Sequence, residues 1–320
     1  MKKRLFTLIT LLPLVSLTGC SKETPLQIAS PSGAPALTLY DIFQDENVEI
    51  NSDPKNVLAY LAKDSTKDVV IAPTNALVAK VIKGGAPFKI ASVITFGNFY
   101  VASTGLDDND TIDADDYIVL FQKGELPDKL FNYVYGLDNF TNIHYVNAAS
   151  DANKCLMTAK DEGNNNADVK YVLLAQPALT AGLAKAKQNR PDVADKIKVV
   201  KNVQEDYKTK SNDLLITQAS IFVNTNSDSK KIDSFLKSVE EKVNNILADQ
   251  TDLAAKLENV DSTIVTSKFG APSLDILKKV VKENSIGLGY KNAKENKGSI
   301  DKFLMSLGFT NEATSEELYY

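Results

Sequence analysis

The chain has no tryptophan, one histidine, two cysteines and two arginines, and only one long apolar run, at its N-terminus. Each shortage removes a class of chemistry. Arg4 and Arg190 are the only arginines, and Arg190 precedes Pro191 in a lysine-rich context where it is expected to face solvent. A bidentate arginine clamp on a carboxylate or phosphate is therefore not expected. A zinc site usually needs several histidine or cysteine ligands, and His144 sits alone in the apolar stretch 142–146, where it reads as a strand residue. No Gly-x-Ser-x-Gly elbow surrounds any serine, so a serine triad lacks its usual turn. There is no Gly-x-x-x-x-Gly-Lys motif for nucleotide phosphates. With a net charge of -5 and lysines scattered throughout, no basic stripe offers itself to nucleic acid. No catalytic residue, metal or cofactor is expected.

What is present begins at the N-terminus. Lys2, Lys3 and Arg4 precede the apolar run from Leu5 to Leu17, which leads into Thr18, Gly19 and Cys20. A bilayer span takes about 20 apolar residues, and this run is shorter. Its charge and length are those of a secretory signal, and the ending resembles a bacterial lipoprotein signal. That resemblance implies cleavage after residue 19 and a lipid on Cys20 (diacylglycerol, palmitate), which would hold the protein at the extracytoplasmic face of the cell membrane. Residues 20–23 then form a short tether. If Cys20 is lipidated, Cys155 is the only remaining thiol, and no internal disulfide can form.

The rest of the chain is long enough for two compact lobes, since single cores stop growing at about 250–300 residues. Short β-like runs alternate with amphipathic helical ones, the pattern of parallel α/β units. Strands are expected at 26–29, 48–50, 68–72, 88–95 and 99–103, with Phe96-Gly97-Asn98 breaking the last pair. The acidic stretch 107–116, with Asp113, Asp115 and Asp116, lacks the spacing of a calcium loop and reads as a solvated connection. Further strands are expected at 117–121, 143–146, 169–174, 197–200 and 214–223, with Ser150 capping the helix from Asp151. From Ser229 onward the pattern is mostly helical, and Tyr319 and Tyr320 read as a loose tail.

The order of these motifs resembles the solute-binding lipoproteins of ABC importers, in the branch of nitrate, alkanesulfonate, taurine and thiamine-pyrimidine carriers. The carriers of the resemblance are Ile28-Ala29-Ser30-Pro31-Ser32-Gly33-Ala34-Pro35, Val69-Val70-Ile71-Ala72-Pro73-Thr74-Asn75, Phe88 to Ser103, and Asp168 to Gly182, in which Gln176 stands where many relatives place Glu. The resemblance implies a two-lobed α/β periplasmic-binding-protein fold of type II, with two crossing strands as its hinge. Lobe one would combine residues 24–103 with 221–320, and lobe two would hold 104–220. It also implies a monomer that delivers a small molecule to permease and ATPase subunits.

In open α/β sheets ligands meet the carboxyl ends of strands and the amino ends of helices. On that rule Ser32, Gly33, Thr74 and Asn75 are candidate ligand contacts from lobe one. Phe96 and Asn98 would sandwich and orient a flat ligand beside the crossing. Lys123, Ser150 and Gln176 would close over it from lobe two. Without an arginine clamp, the expected ligand is a neutral or weakly charged planar heteroaromatic such as a pyrimidine or vitamin precursor. The alternatives are a small oxyanion (sulfonate or nitrate), a surface sensor unlinked to transport, and a thiamine-pyrimidine-synthase-like enzyme.

Overall fold

The computed structural model describes residues 24–106 and 111–320. The signal, Cys20 and the connection at 107–110 lie outside the described residues, and so does the lipidation expected at Cys20. No helix among the described residues is long and apolar enough to cross a membrane.

Two sheets organise the chain. The first is built from β1 (Ile28–Pro31), β2 (Val48–Asn51), β3 (Val69–Pro73) and β4 (Phe88–Thr95). The second takes β5 (Phe99–Ser103), β6 (Tyr117–Phe121) and β7 (Asn142–Val146). A small hairpin, β8 (Lys160–Asp161) with β9 (Ala167–Asp168), interrupts it before β10 (Tyr171–Ala175) and β11 (Val199–Asn202). The chain then returns to the first sheet through β12 (Ala219–Asn224) and β13 (Leu288–Asn292). The spatial orders are β13-β4-β12-β3-β1-β2 and β11-β5-β10-β6-β7. β1 runs parallel to β2 and β3, and β12 is inserted antiparallel between β3 and β4.

The first sheet is covered on both faces, which explains why its strands read as continuous apolar runs. Ala29, Val70, Ile90 and Phe222 enter one core, while Ile28, Val69, Ile71, Ile221 and Val223 enter another. The covering helices are α1 (Pro54–Ala59) in lobe one, then α2 (Leu126–Tyr135), α3 (Ala149–Thr158), α4 (Ala178–Asn189) and α5 (Val203–Lys210) around lobe two. The chain ends with α6 (Ser229–Ala248), α7 (Thr251–Leu257), α8 (Ser262–Phe269), α9 (Leu274–Lys282) and α10 (Lys297–Ser306). Helix α6 shows how sequence dictates placement. Ile232, Leu236, Val239, Val243 and Ile246 recur at helical spacing and are buried, and the Asp228 side chain caps the first turn by accepting from Lys230 N and Lys231 N.

Several expectations are corrected. β5, expected in lobe one, pairs with β10 and β11 in the second sheet, because the break at Phe96–Asn98 is itself the crossing. The return crossing, 211–218, is not a strand: pairing resumes only at Ala219, opposite Pro73 and Thr95. β13 is not expected from the sequence, since Leu-Gly-Tyr-Lys-Asn offers only two alternating apolar residues and no β-branched one. The tail is held down. Tyr319 is buried with its hydroxyl on Thr314, and Tyr320 N donates to Ile90 O at 3.0 Å. Arg190 does not face solvent: Nη1 and Nη2 donate to the carbonyls of Thr104 and Leu156. Asp116 is buried and paired with Lys170 at 2.6 Å, so it is not part of a solvated connection. Helix α3 begins at Ala149 with Ala148 as its N-cap, and Ser150 lies exposed in the first turn instead of capping it.

Candidate functional site

Topology sets the two sheets edge to edge. The ends of β1, β3 and β4 share an edge with the start of antiparallel β12. The ends of β6, β7 and β10 share one with the start of β5, and the short crossing from β4 to β5 joins these edges. Side-chain amides stitch the junction. Asn98 Nδ2 donates to Gln176 O at 2.8 Å, Gln176 N donates to Asn98 O at 2.9 Å, and Gln218 Nε2 donates to Asn98 Oδ1 at 3.0 Å. Gln218 is held in turn by Thr74 N, which donates to its carbonyl. Farther along β1 the lobes also meet: a Cβ placed on Gly270 would lie 3.4 Å from Pro177 Cγ and 3.6 Å from Gly33 Cα.

Beyond this junction the edges part around a cavity of about 350 Å³. Lobe one lines it with Pro54, Lys55, Leu58, Pro73 and Asn75, and lobe two with Gln122, Lys123, Tyr145 and Asn147 among others. Lys123 Nζ sits 5.0 Å from the centre of the Tyr145 ring, a cation–π distance. Tyr145 donates to Asp128 Oδ1 at 2.7 Å, and burial together with that bond pushes its phenol well above the ordinary range. The Tyr145 ring is thereby held neutral and oriented. Gln122, the residue after β6, lines the cavity in a left-handed conformation, φ 56, that is uncommon outside glycine.

The structure brings together only some of the residues expected from sequence. Asn75 and Lys123 line the cavity, and Asn75 Oδ1 is shielded from solvent with no hydrogen-bond partner. Asn98 and Gln176 are bonded to one another at the junction. Thr74 is spent internally, its hydroxyl 2.7 Å from that of Ser220. Ser32 N and Gly33 N are also committed, to Asn51 O and Lys268 O. Ser150 is exposed on α3, outside the cavity. Phe96 lies on the other side of the crossing. Its ring packs on Gly289 of β13, where a Cβ would come within 2.8 Å of it, and it lines a separate space between α5 and the α9–β13 connection. Sequence reasoning missed Lys55, Gln122, Tyr145 and Asn147. Gln122 and Asn147 immediately follow strands, and the strand-end rule applied to β6 and β7 would have found them.

A second cavity of about 420 Å³ in lobe two collects His144, Cys155 and Asp161. His144 Nδ1 faces Asp161 Oδ2, which also accepts from Tyr117 Oη at 3.0 Å. Burial, reinforced by the charge of Asp161, pushes the Cys155 thiol up to about 11, far from thiolate chemistry at neutral pH. No group of three or more metal-ligating side chains occurs among the described residues.

No family model matches the chain, and no curated protein matches it. Solved structures do. An ABC transporter protein from Parabacteroides distasonis aligns with TM-score 0.67 at 16% identity, over 89% of this chain and 92% of that one. The periplasmic aliphatic sulphonate binding protein of Escherichia coli aligns at 0.58 and 14% identity, over 92% and 91%. A Candida albicans protein described as having the generic periplasmic binding protein structural fold aligns at 0.53 and 13%, over 92% and 93%. The chain is therefore similar to these proteins in architecture, and its fold is the two-lobed α/β fold of periplasmic binding proteins, type II.

Proposed function

We propose that this protein captures a small organic solute between its lobes and presents the closed form to the permease and ATPase subunits of an ABC-type importer. The observation that carries the reading is a cavity that both lobes line at the strand ends, with Lys55 and Asn75 on one side and Gln122, Lys123 and Asn147 on the other. A solute touching both walls favours the closed state by its differential affinity, and nothing else is needed to convert binding into a signal. The solved structures of similar fold that are described as binding or transport proteins support the same reading. We place the lobe boundary at the two crossings, near residues 96–98 and 211–218, and assign ligand contact to Asn75 and Lys123 together with Lys55, Gln122, Tyr145 and Asn147. Of the residues named from sequence, Ser32, Gly33, Thr74, Asn98 and Gln176 shape the junction.

The processed chain is proposed to begin at Cys20 and to act as a monomer tethered by lipid at the extracytoplasmic face. It is not an enzyme in this reading, since the Cys155 thiol is buried and raised to about 11 and His144 faces Asp161 within lobe two. A flat heterocycle would lie against Tyr145, which supplies the aromatic face expected from Phe96. A sulfonate or similar oxyanion is the second reading, favoured by the paired positions of Lys55 and Lys123 at the cavity wall.

The test joins small-angle scattering to thermal denaturation of the protein from residue 21 onward, against heterocycles, amides, sulfonates, nitrate, amino acids and sugars. A true solute compacts the protein and, at a hundredfold excess over its Kd, adds about 2.7 kcal/mol of stability. Silence across all classes would sink the capture reading.

A further inference from the structure

Behind the crossing the lobes leave another gap, a cavity of about 530 Å³. Lobe two lines it with Tyr100 of β5 and with Glu205 and Lys208 of α5, and lobe one with Glu283 and Lys291. Its floor is apolar. The Phe96 ring packs on Gly289 and stays half-buried, as do the rings of Tyr100 and Tyr290. Leu215, on the return crossing, is among the few large apolar side chains that the fold leaves exposed, and it lines the same cavity. Each lobe adds a carboxylate, Glu205 and Glu283, and neither takes part in an ion pair among the described residues. Both act on one group: burial, reinforced by the charges of Glu205 and Glu283, raises the Tyr100 phenol above its ordinary range. The lysines of the cavity are occupied, Lys208 Nζ lying 4.0 Å from Asp213 Oδ1 and Lys291 Nζ 5.8 Å from the centre of the Phe96 ring.

Half-buried rings beside two unmatched carboxylates suit one kind of molecule. A cation gains from a ring face and from carboxylates at once, and a planar amidinium or guanidinium meets a carboxylate with two parallel N–H donors. An anion would meet Glu205 and Glu283 with like charge, and a neutral ring would leave both unmatched. We infer that the cavity behind the crossing is a second ligand site, which takes an aromatic organic cation with its ring against Phe96 and Leu215 and its charge between Glu205 and Glu283. Such a ligand holds the two lobes together behind the crossing. Closure of the solute cleft in front swings the same lobes apart behind, so cation and solute oppose each other, and by linkage the opposition is reciprocal. Binding at this site is independent of solute capture, and only the opposition rests on that reading.

Three matched probes test it by calorimetric titration into the unmodified protein: benzamidine, benzamide and benzoate, which put a positive, a neutral and a negative group on the same ring. Benzamidine is expected to bind at least about tenfold more tightly than the other two, without compaction in scattering, and to lose about tenfold or more in the double variant Glu205→Gln, Glu283→Gln. Both positions are exposed, so the double variant keeps its fold, which its urea midpoint checks. Equal binding of the three probes, no binding of benzamidine, or an unchanged affinity in the double variant would overturn the site. So would loss of benzamidine binding in Tyr145→Ala, or compaction by benzamidine, since either puts the probe in the solute cavity. A solute found by the screen should bind about fivefold more weakly in saturating benzamidine. An unchanged solute affinity would overturn the opposition and leave the site standing, whereas a screen without any solute would bring down the capture reading and the opposition but not the site.

Discussion

Tyr100, the second residue of β5, donates its hydroxyl to the carbonyl of Ser285 at 3.0 Å, and so ties the second sheet to the α9–β13 connection of lobe one. The bond lies behind the crossing, on the side away from the solute cavity, and it crosses between lobes. It holds only while the lobes keep this relative angle. Tyr100→Phe should therefore free the lobes from this relative angle and leave each lobe's own core unchanged. A bond behind the crossing resists closure of the cleft on the other side, and a net hydrogen bond is worth about 1 kcal/mol, so solute affinity should rise about fivefold, with a smaller radius of gyration in scattering.

Arg190 is the one arginine in the described body, and its guanidinium fork is spent on two backbone carbonyls, Thr104 O at 2.5 Å and Leu156 O at 2.8 Å. Charge-assisted bonds of this kind contribute about 1.5–3 kcal/mol each before screening, and truncation also leaves two carbonyls short of a donor. Arg190→Ala is expected to lower the urea unfolding free energy by about 2–3 kcal/mol, with Arg190→Lys recovering part of it. Solute affinity should not move, because the side chain is nowhere near the cleft.

Asp301 fastens the C-terminal tail. It accepts from Lys297 Nζ at 2.6 Å and from the hydroxyl and amide of Thr314. Burial pushes its carboxyl up, but the bonds from Lys297 and Thr314 outweigh burial and hold it below the usual carboxylate range. A carboxyl lowered in the folded state contributes stability above its unfolded value, near about 4, and that contribution is lost as pH falls through the folded value. A urea midpoint followed from pH 6 to pH 3 should decline in the wild type partly through this group. Asp301→Asn should be weaker at pH 6 and show a shallower decline below about pH 4.

Gly287 has φ 66, and a Cβ there would come within 2.0 Å of the Gly97 carbonyl, at the crossing itself. Gly287→Ala imposes both a left-handed backbone on a side-chain-bearing residue and a collision with the crossing. The expected loss is at least about 2 kcal/mol in chemical denaturation. Gly298→Ala is the control, since nothing lies within 4 Å of a Cβ there.

Much of the architecture was legible because its signals are local. Apolar runs such as Tyr117–Phe121 and Tyr171–Ala175 become strands, and the spacing of Ile232, Leu236 and Val239 becomes helix α6. What remained hidden depends on partners distant in sequence. Whether Arg190 meets water or Thr104 O, 86 positions away, cannot be read from its neighbours. The site shows the same division. Strand ends pointed to Asn75, but the side of the crossing on which Phe96 lies is settled by Gly289, in a strand with only two alternating apolar residues. The side chains of Asn98 and Gln176 are both expected to reach a ligand, but the fold spends Asn98 Nδ2 on the backbone carbonyl of Gln176 and the Gln176 Oε1 on the amide and hydroxyl of Thr180.

The position of Phe96 turns into a discriminating experiment. A flat solute needs an aromatic face, and sequence alone offers Phe96 beside the crossing. In the fold that ring covers Gly289, with Lys291 Nζ 5.8 Å from its centre, while Tyr145 is the ring at the cavity wall. Phe96→Ala removes half-buried packing and is expected to cost stability, about 2–3 kcal/mol by chemical denaturation, with solute affinity within about twofold of wild type. Tyr145→Ala should do the reverse in emphasis: it removes the stacking face and unseats Lys123, and base–aromatic stacking is worth about 1–3 kcal/mol, so affinity should fall about tenfold or more. Tyr145→Phe, which keeps the ring and loses only the bond to Asp128, should restore most of that affinity in calorimetric titration. If Phe96→Ala instead abolished binding while Tyr145→Ala left it intact, the solute would lie behind the crossing and not in the cavity beside Tyr145.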